Sequence, residues 1–354
     1  MPVLTAPVVA LPRYQVTTDE VIERIAELYP DHPKLAQIRR IIRSTTVRTR
    51  WYTRPLSEQF RDEHSLAERT REHLQDSLEL AERAARGALR EAGLGPAAVD
   101  AVVVVSATGH TMPGLDAQLV DRLGLRPSVR RIPVTQMGCA GGVFGVSTAM
   151  ELVAARPDVT VLIVCADVFS HYLNRNDSGL DGMIFKGIIG DAAGACVVRN
   201  GPVSGPHMEL TASWECLYAG SHGVVGSCTD NDGLHGFNSP KLLDAIREVV
   251  PMLNDWLAHS ARPGTDGAPE FVVSHTGSPR VIDSLVNGLG VEPQLFGLSR
   301  DSLRDLGNLG SASVLEVLER TFAKPPTEGA HGLMLAPGPG VSLMAVKTIW
   351  RGGI

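Results

Sequence analysis

The residue with the clearest chemical potential is Cys139, which lies in the glycine-rich segment 136–142. An apolar stretch at 129–134 precedes this segment and predicts a strand, and an apolar pattern with helical spacing follows it. At such a strand-to-helix turn, free backbone N–H groups and the helix dipole stabilise negative charge. The position therefore predicts a nucleophilic thiol with a lowered pKa. A buried, inert cysteine is the commoner case for an isolated residue, so a catalytic role for Cys139 needs support from other side chains.

Two later segments supply partners for this thiol. The apolar run 271–274 ends in His275 at a glycine turn, and Asn308 lies in a glycine-flanked turn before a helical pattern. Each residue alone has an ordinary structural explanation, because strand-end histidines are often simply hydrogen-bonded and asparagine is a common helix N-cap. Together with Cys139 they provide a nucleophile, a base or ion-pair partner, and an amide donor. This combination favours a covalent, nucleophilic mechanism.

The elements around these residues indicate an α/β fold. Segments 99–106 and 159–165 are short, continuous apolar runs, as expected of strands that are covered on both faces. Segment 65–92 has one apolar face and predicts a long helix packed on the core. Segment 30–51 is basic and is predicted to be irregular.

The chain divides at a connector rich in glycine and proline, residues 200–206. We expect a first half at 1–200, which carries Cys139, and a second half at 207–354, which carries His275 and Asn308. The strand-like runs before residues 106 and 275 end in a similar way, which suggests that one unit has been duplicated.

Composition narrows the class of protein. The chain has 354 residues, 44% of them hydrophobic, which is enough for one large core or two fused ones. A net charge of −6 argues against a nucleic-acid partner. The five cysteines show no short paired spacing, so neither a metal site nor a disulfide framework is predicted. The sequence has no signal-peptide pattern and no run of 18 apolar residues, so we expect a cytoplasmic protein without a membrane partner.

Several motifs occur together with the three candidate residues. They are Gly138-Cys139 with Ala140-Gly141-Gly142, His275 with Thr276-Gly277, Gly307-Asn308, Pro337-Gly338-Pro339-Gly340, Met112-Pro113-Gly114 and Gly190-Asp191-Ala192. From about Val3 to the C-terminus, the chain resembles the type III polyketide synthases, the chalcone-synthase-like enzymes of the thiolase superfamily. The resemblance implies a five-layer αβαβα thiolase-like fold of two similar halves, with the active site between them.

The resemblance also implies an acyltransferase of polyketide biosynthesis in secondary metabolism. Cys139 would hold an acyl group from an acyl-CoA starter, and His275 and Asn308 would stabilise the enolate formed when malonyl-CoA loses CO₂. An imidazolium at His275 would favour the Cys139 thiolate before substrate binds. Cyclisation would follow chain extension. We expect no metal and no organic cofactor, because CoA carries the substrates. The family is homodimeric, and Met112 would reach the partner's cavity.

Positions that shape the substrate cavity in relatives differ in this chain. Ile189 and Gly236, with Phe237 one place away, stand where relatives carry gating phenylalanines. The remaining positions expected to contact substrate are Ala107, Phe169, Tyr172 and Gly310. We expect Phe169 and Tyr172 to narrow one side of the cavity, and Gly236 and Gly310 to open another. For the phosphates of CoA, the resemblance implies Arg40, with Arg43 as a compensating contact. These departures favour aliphatic or acetyl-type starters over cinnamoyl-type ones.

Three alternatives share some of these residues. A β-ketoacyl carrier-protein synthase III-like enzyme has the same Cys, His and Asn, but it receives malonyl groups from a carrier protein. A catalytically silent ketosynthase partner subunit usually lacks the cysteine, so the presence of Cys139 disfavours that reading. A cysteine hydrolase is disfavoured because it needs water, which a condensing cavity excludes.

Overall fold

The computed structural model describes residues 1–60, 65–230, 233–259 and 267–352. The strands in these ranges are β1 (Pro2–Thr5), β2 (Val8–Ala10), β3 (Tyr14–Thr17), β4 (Thr49–Tyr52), β5 (Ala101–Val105), β6 (Arg130–Val134), β7 (Val161–Asp167), β8 (Ala192–Asn200), β9 (His207–Leu217), β10 (Val225–Asp230), β11 (Gly233–Asn238), β12 (Phe271–Ser274), β13 (His331–Gly338) and β14 (Ser342–Arg351). The α-helices are α1 (Thr18–Leu28), α2 (Leu35–Ser44), α3 (Leu66–Glu91), α4 (Leu115–Leu123), α5 (Gly141–Ala155), α6 (Leu180–Ile188), α7 (Lys241–His259), α8 (Pro279–Leu289), α9 (Gly297–Leu306) and α10 (Ser313–Ala323).

One large mixed sheet runs through the molecule in the order β12-β13-β14-β9-β1-β8-β7-β5-β6, and β2 pairs with β8. Strand β5 is parallel to both β6 and β7, and β12 is parallel to β13. The short strand β1 is antiparallel to β8 on one side and to β9 on the other. It therefore joins the strands of the N-terminal half to those of the C-terminal half. Strands β3 and β4, and β10 and β11, form two separate hairpins.

Alternating side chains divide the core into layers. On β5, Val103 and Val105 pack in the central core with helices α5 and α10, whereas Val102 and Val104 pack against α3 and α4. On β13, the central core receives Met334, and Leu333 faces α7 and α8. The parts of the sheet around β5 and β13 therefore form two layers on either side of the central helices α5 and α10, and further helices cover each layer from outside. This confirms the predicted αβαβα fold, and it explains why the strands are apolar on both faces.

The prediction for segment 30–51 was wrong, because this segment contains α2 and β4. Helix α2 buries only Ile38 and Ile42, while its many arginines point outward. Leu35, Ile38 and Ile42 recur at helical spacing, so the sequence does carry the signal for this helix, and the basic composition of the segment obscured it.

One described helical segment, Gly138–Ala155, is apolar and long enough to cross a membrane by length and composition. It consists of α5 and the short turn before it, and 56% of it is buried inside the molecule. This segment is the central helix that both halves of the sheet cover.

Candidate active site

Cys139 lies in a short 3-10 turn, Gly138–Ala140, directly before α5. The sequence predicted this strand-to-helix position. Glycines on either side allow the turn to approach the other half of the molecule closely. Gly138 has a φ of +53°, and a Cβ there would lie 2.6 Å from the ring of Pro339. A Cβ on Gly142 would overlap the carbonyl oxygen of Ser311. Both close contacts bring Cys139 towards the C-terminal half.

Asn308 follows α9 and lies directly beside the thiol. Its side chain hydrogen-bonds to Cys139. The same side chain accepts a bond from the Gly310 N–H at 2.9 Å and donates a long one to the Gly277 carbonyl at 3.5 Å. Its backbone N–H donates to the Ile188 carbonyl at 2.8 Å. The amide is thus fixed in the space between Cys139 and the loop that follows His275.

His275 stands at the end of β12, where its backbone N–H donates to the Leu335 carbonyl at 2.9 Å. Only 2% of its surface is exposed, and the ring lies under the loop that contains Gly277. A Cβ on Gly277 would be 3.3 Å from the His275 Nε2 atom. Gly277 and Asn308 line a cavity, and His275 is enclosed just behind them.

Burial favours the uncharged forms of both titratable groups. Desolvation raises the pKa of Cys139, the negative charge of Asp167 raises it further, and the hydrogen bond from Asn308 lowers it. Burial lowers the pKa of His275 to about 4, although a hydrogen bond to the Gly310 backbone acts in the opposite direction and raises it. The resting thiolate–imidazolium pair that the sequence led us to expect is therefore not the form that burial favours.

The cavity beside Cys139 has a volume of about 570 Å³. Of the positions expected to contact substrate, Ala107, Phe169, Gly236 and Phe237 line it, together with Cys139 and Asn308. The remaining walls are mostly apolar and come from α6, α7, the start of α8 and the β10–β11 hairpin; they include Ile184, Phe185, Ile188, Leu242, Ile246 and Val281. The arrangement places a half-buried thiol and an amide donor on the wall of a largely apolar cavity, with an imidazole just behind that wall. Such a site suits acyl transfer to the thiol.

Family models for the chalcone and stilbene synthases match this chain over most of its length. The N-terminal domain model matches residues 6–202, and the C-terminal domain model matches residues 244–349. The chain belongs to the chalcone and stilbene synthase family. It is an acyl-transferring condensing enzyme of the type III polyketide synthase class.

Individual relatives of this synthase cover nearly the whole chain. The 1,3,6,8-tetrahydroxynaphthalene synthase of Streptomyces coelicolor is 29% identical over 99% of this chain and 93% of its own length. The phloroglucinol synthase of Pseudomonas fluorescens is also 29% identical, over 99% of both chains. The crystal structure of the tetrahydroxynaphthalene synthase superimposes with a TM-score of 0.93 over 99% of both chains. Germicidin synthase from Streptomyces coelicolor gives 0.91 at 28% identity, over 99% of each.

Three residues that the sequence predicted to contact substrate do not line the cavity of the synthase. Ile189 is 1% exposed and lies behind the wall, where Ile188 contributes instead. Tyr172 is also buried, and its ring packs on those of His73 and His110. On Gly310, the space beside Cα is taken by the Phe169 ring and the Asp167 carboxylate. The expected opening of the cavity at Gly310 is therefore filled.

The residues assigned to CoA and to the partner subunit are on the surface. Arg40 and Arg43 are exposed on α2, and Arg43 pairs with Asp19 at 3.2 Å. Helix α2 packs on α6, where a Cβ on Gly187 would touch Ile42. Both arginines are thus near a helix that lines the cavity, but outside the described lining itself. Met112 is 99% exposed in the single chain. No group of three His, Cys, Asp or Glu side chains in the described residues is placed to hold a metal ion.

Sequence reasoning missed a buried carboxylate that connects the two halves of the site. Asp167, at the end of β7, accepts hydrogen bonds from the Ala107 N–H at 2.6 Å and from both the N–H and the hydroxyl of Ser311 at 2.7 Å. It thereby ties the loop after β5 to the turn after Asn308. An apolar strand that ends in a titratable residue is the same signal that identified His275, and it could have identified Asp167.

Two further wall residues were also missed. His110 lines the cavity, packs edge-to-face on Tyr172 at 6.0 Å, and has its pKa lowered by partial burial. Phe185 lines the cavity one helical turn before Ile189. Ile189 follows the end of α6 with an extended backbone, so its side chain does not continue the helix face on which Ile184, Phe185 and Ile188 line the cavity.

Proposed function

We propose that this synthase extends an acyl-CoA starter, held as a thioester on Cys139, by decarboxylative condensation with malonyl-CoA-type extenders. The observation that carries the proposal is the Asn308 side chain, which hydrogen-bonds to the Cys139 thiol in the wall of a cavity of about 570 Å³. A thiol nucleophile beside a preorganised amide donor is what a condensing enzyme needs.

In the first half-reaction, the Cys139 sulfur attacks the carbonyl carbon of the starter thioester while His275 accepts the thiol proton. The tetrahedral intermediate expels CoA as a thiolate, which takes up a proton as it leaves. The acyl group then remains bonded to the Cys139 sulfur. His275 supplies that proton to the CoA thiolate, and its low pKa favours giving the proton up.

In the second half-reaction, malonyl-CoA loses CO₂, and the two electrons of the broken C–C bond form an enolate on the remaining acetyl-CoA unit. The Asn308 amide and a His275 N–H stabilise the enolate oxygen. The enolate carbon attacks the Cys139 thioester, and the thiolate is released as a chain two carbons longer forms on CoA. Repeated extension is followed by cyclisation. We propose that this chemistry requires CoA thioesters and no further cofactor.

The substrate-contacting roles of Ala107, Phe169, Gly236 and Phe237 are supported by their presence in the lining. For CoA, we propose that Arg40 and Arg43 contact the phosphates, since an exposed guanidinium suits phosphate and α2 borders the cavity helices. Two relatives carry names of aromatic polyketide products, tetrahydroxynaphthalene and phloroglucinol. For this chain, the mostly apolar walls favour aliphatic or acetyl-type starters.

We also propose that the protein is a cytoplasmic homodimer. Within each chain, the connector at residues 200–206 separates the N-terminal half from the C-terminal half. Met112 is 99% exposed in the single chain, so its side chain is accessible to a partner chain. A soft thioether also suits the apolar wall of a neighbouring cavity.

The function is tested by mass spectrometry of the products that the purified protein makes from malonyl-CoA and a panel of acyl-CoA starters. Extended, cyclised products that form with malonyl-CoA alone would support the proposal. Activity only with malonyl carrier protein would favour the synthase III-like alternative.

A further inference from the structure

We infer that Phe169 and Phe185 form an aromatic partition across the cavity, and that the Phe185 ring limits the length of the starter acyl chain. This inference rests on the proposed function, which places that chain on Cys139. The two rings pack edge-to-face, with their centroids 5.8 Å apart and an interplanar angle of 82°. Both rings line the cavity. This is a favourable aromatic geometry that holds each ring in place.

Each end of the pair lies against a glycine. A Cβ on Gly310 would be 2.8 Å from the Phe169 Cζ atom, so any larger residue there would displace the ring. At the other end, a Cβ on Gly236 would be 3.4 Å from the Phe185 Cδ2 atom. The row Gly310, Phe169, Phe185, Gly236 thus runs from the turn after Asn308 to the β10–β11 hairpin. The two glycines that the sequence suggested would widen the cavity instead make room for the two rings.

The order of this row gives the rings different roles. Phe169 contacts Gly310, two residues after Asn308, whose side chain contacts the Cys139 thiol. Phe169 is therefore the ring nearer to the reacting sulfur, and Phe185 is the ring farther from it. An acyl group on Cys139 passes Phe169 first and meets Phe185 only when it is long enough. Removing the Phe185 ring lengthens the space for a starter and leaves Cys139, His275 and Asn308 in place.

The test is the ratio of kcat/KM for octanoyl-CoA to that for hexanoyl-CoA in Phe185→Ala and in wild type. Each newly buried methylene contributes about a factor of four, so the two extra methylenes raise this ratio about 15-fold in the variant. Both starters carry the same CoA, so a defect in CoA binding lowers both values and leaves the ratio unchanged. Phe322→Ala is the matched control, because Phe322 also packs edge-to-face, on Trp350 at 4.9 Å, outside the cavity lining. The control should keep the wild-type ratio.

A phenylalanine introduced at position 236 tests whether the space occupied by the Phe185 ring controls the length of the starter. Gly236→Phe alone should lower activity with every starter, because its side chain meets the Phe185 ring. Phe185→Ala combined with Gly236→Phe should return the octanoyl-to-hexanoyl ratio towards wild type. Phe185→Leu is the fallback should the alanine variant not fold, with a smaller rise expected.

An unchanged ratio in an active Phe185→Ala or Phe185→Leu variant would overturn the inference. A wild-type enzyme that condenses no CoA starter at all would instead overturn the proposed function.

Discussion

Replacing Asn308 should separate the two half-reactions. In Asn308→Ala the amide donor beside the Cys139 thiol is lost, whereas Cys139 and His275 remain. Removal of one oxyanion donor costs about 10²–10³ in rate, or roughly 3–4 kcal/mol of transition-state stabilisation. Decarboxylation of malonyl-CoA should therefore fall by that factor. Acylation of Cys139 by the starter should persist, because His275 still accepts the thiol proton.

The alanine also removes the acceptor of the Gly310 N–H, which is bonded at 2.9 Å, so part of its effect could come from a displaced loop. Asn308→Asp is the matched control, since it keeps this acceptor and removes the donor. Its carboxylate should also raise the pKa of the Cys139 thiol, which slows acylation at neutral pH and less so at higher pH.

The assay is CO₂ release from malonyl-CoA together with intact-protein mass after incubation with hexanoyl-CoA. Normal CO₂ release in both Asn308 variants would refute the assignment of the amide to the enolate. Loss of acylation in Asn308→Ala, with the fold intact by circular dichroism, would refute the separation of roles.

Further predictions concern stability, the cavity wall and assembly. Burial lowers the pKa of His73 to about 3, so the unfolded chain binds a proton below pH 6.5 that the folded chain rejects, and stability falls as the pH drops from 6.5 towards 3. At pH 5 the loss is about 2 kcal/mol, and urea unfolding of His73→Gln at pH 7.5 and pH 5 should lack it. Ile189→Phe should lower the melting temperature through overpacking, while the ratio of kcat/KM for hexanoyl-CoA to 4-coumaroyl-CoA stays at the wild-type value. Met112→Asp should convert a dimer in sedimentation into a monomer; a wild-type protein that is already monomeric at micromolar concentration would contradict the proposed homodimer.

The main elements of the fold could be predicted because both faces of its central strands are buried. A strand such as β5 has only one apolar pattern compatible with layers on both sides, and the sequence carries that pattern without interruption. Helix α2 was missed although Leu35, Ile38 and Ile42 follow helical spacing, because the segment was interpreted from its basic composition alone. Periodicity is informative even where a helix buries only a narrow apolar stripe.

The site was predictable to the extent that glycines and strand ends mark it. Cys139, His275 and Asn308 each follow a local signal, and Asn308 indeed contacts the Cys139 thiol. The shape of the cavity depends on contacts between distant segments instead. Ile189 lies behind the cavity wall because the helix ends at Ile188, and Phe185 and Ile188 reach the lining instead. Similarly, a glycine indicates open space only if no ring from elsewhere fills it, as Phe169 does at Gly310.

The protonation state of the Cys139 thiol also could not be predicted from the local sequence pattern. A helix N-terminus favours the thiolate, but burial opposes it, and the extent of burial is a property of the whole fold. The neighbouring carboxylate of Asp167 adds to the opposing effect, and it comes from a strand remote in sequence.

The central claim is that Cys139 carries the growing acyl chain. The most direct measurement is peptide mass spectrometry of the wild-type protein and of Cys139→Ala after incubation with hexanoyl-CoA, combined with product analysis after malonyl-CoA is added. We predict that the wild type carries a hexanoyl group on the peptide containing Cys139 and releases extended products, and that Cys139→Ala shows neither. A hexanoyl group on another cysteine, or extended products from Cys139→Ala, would contradict the account.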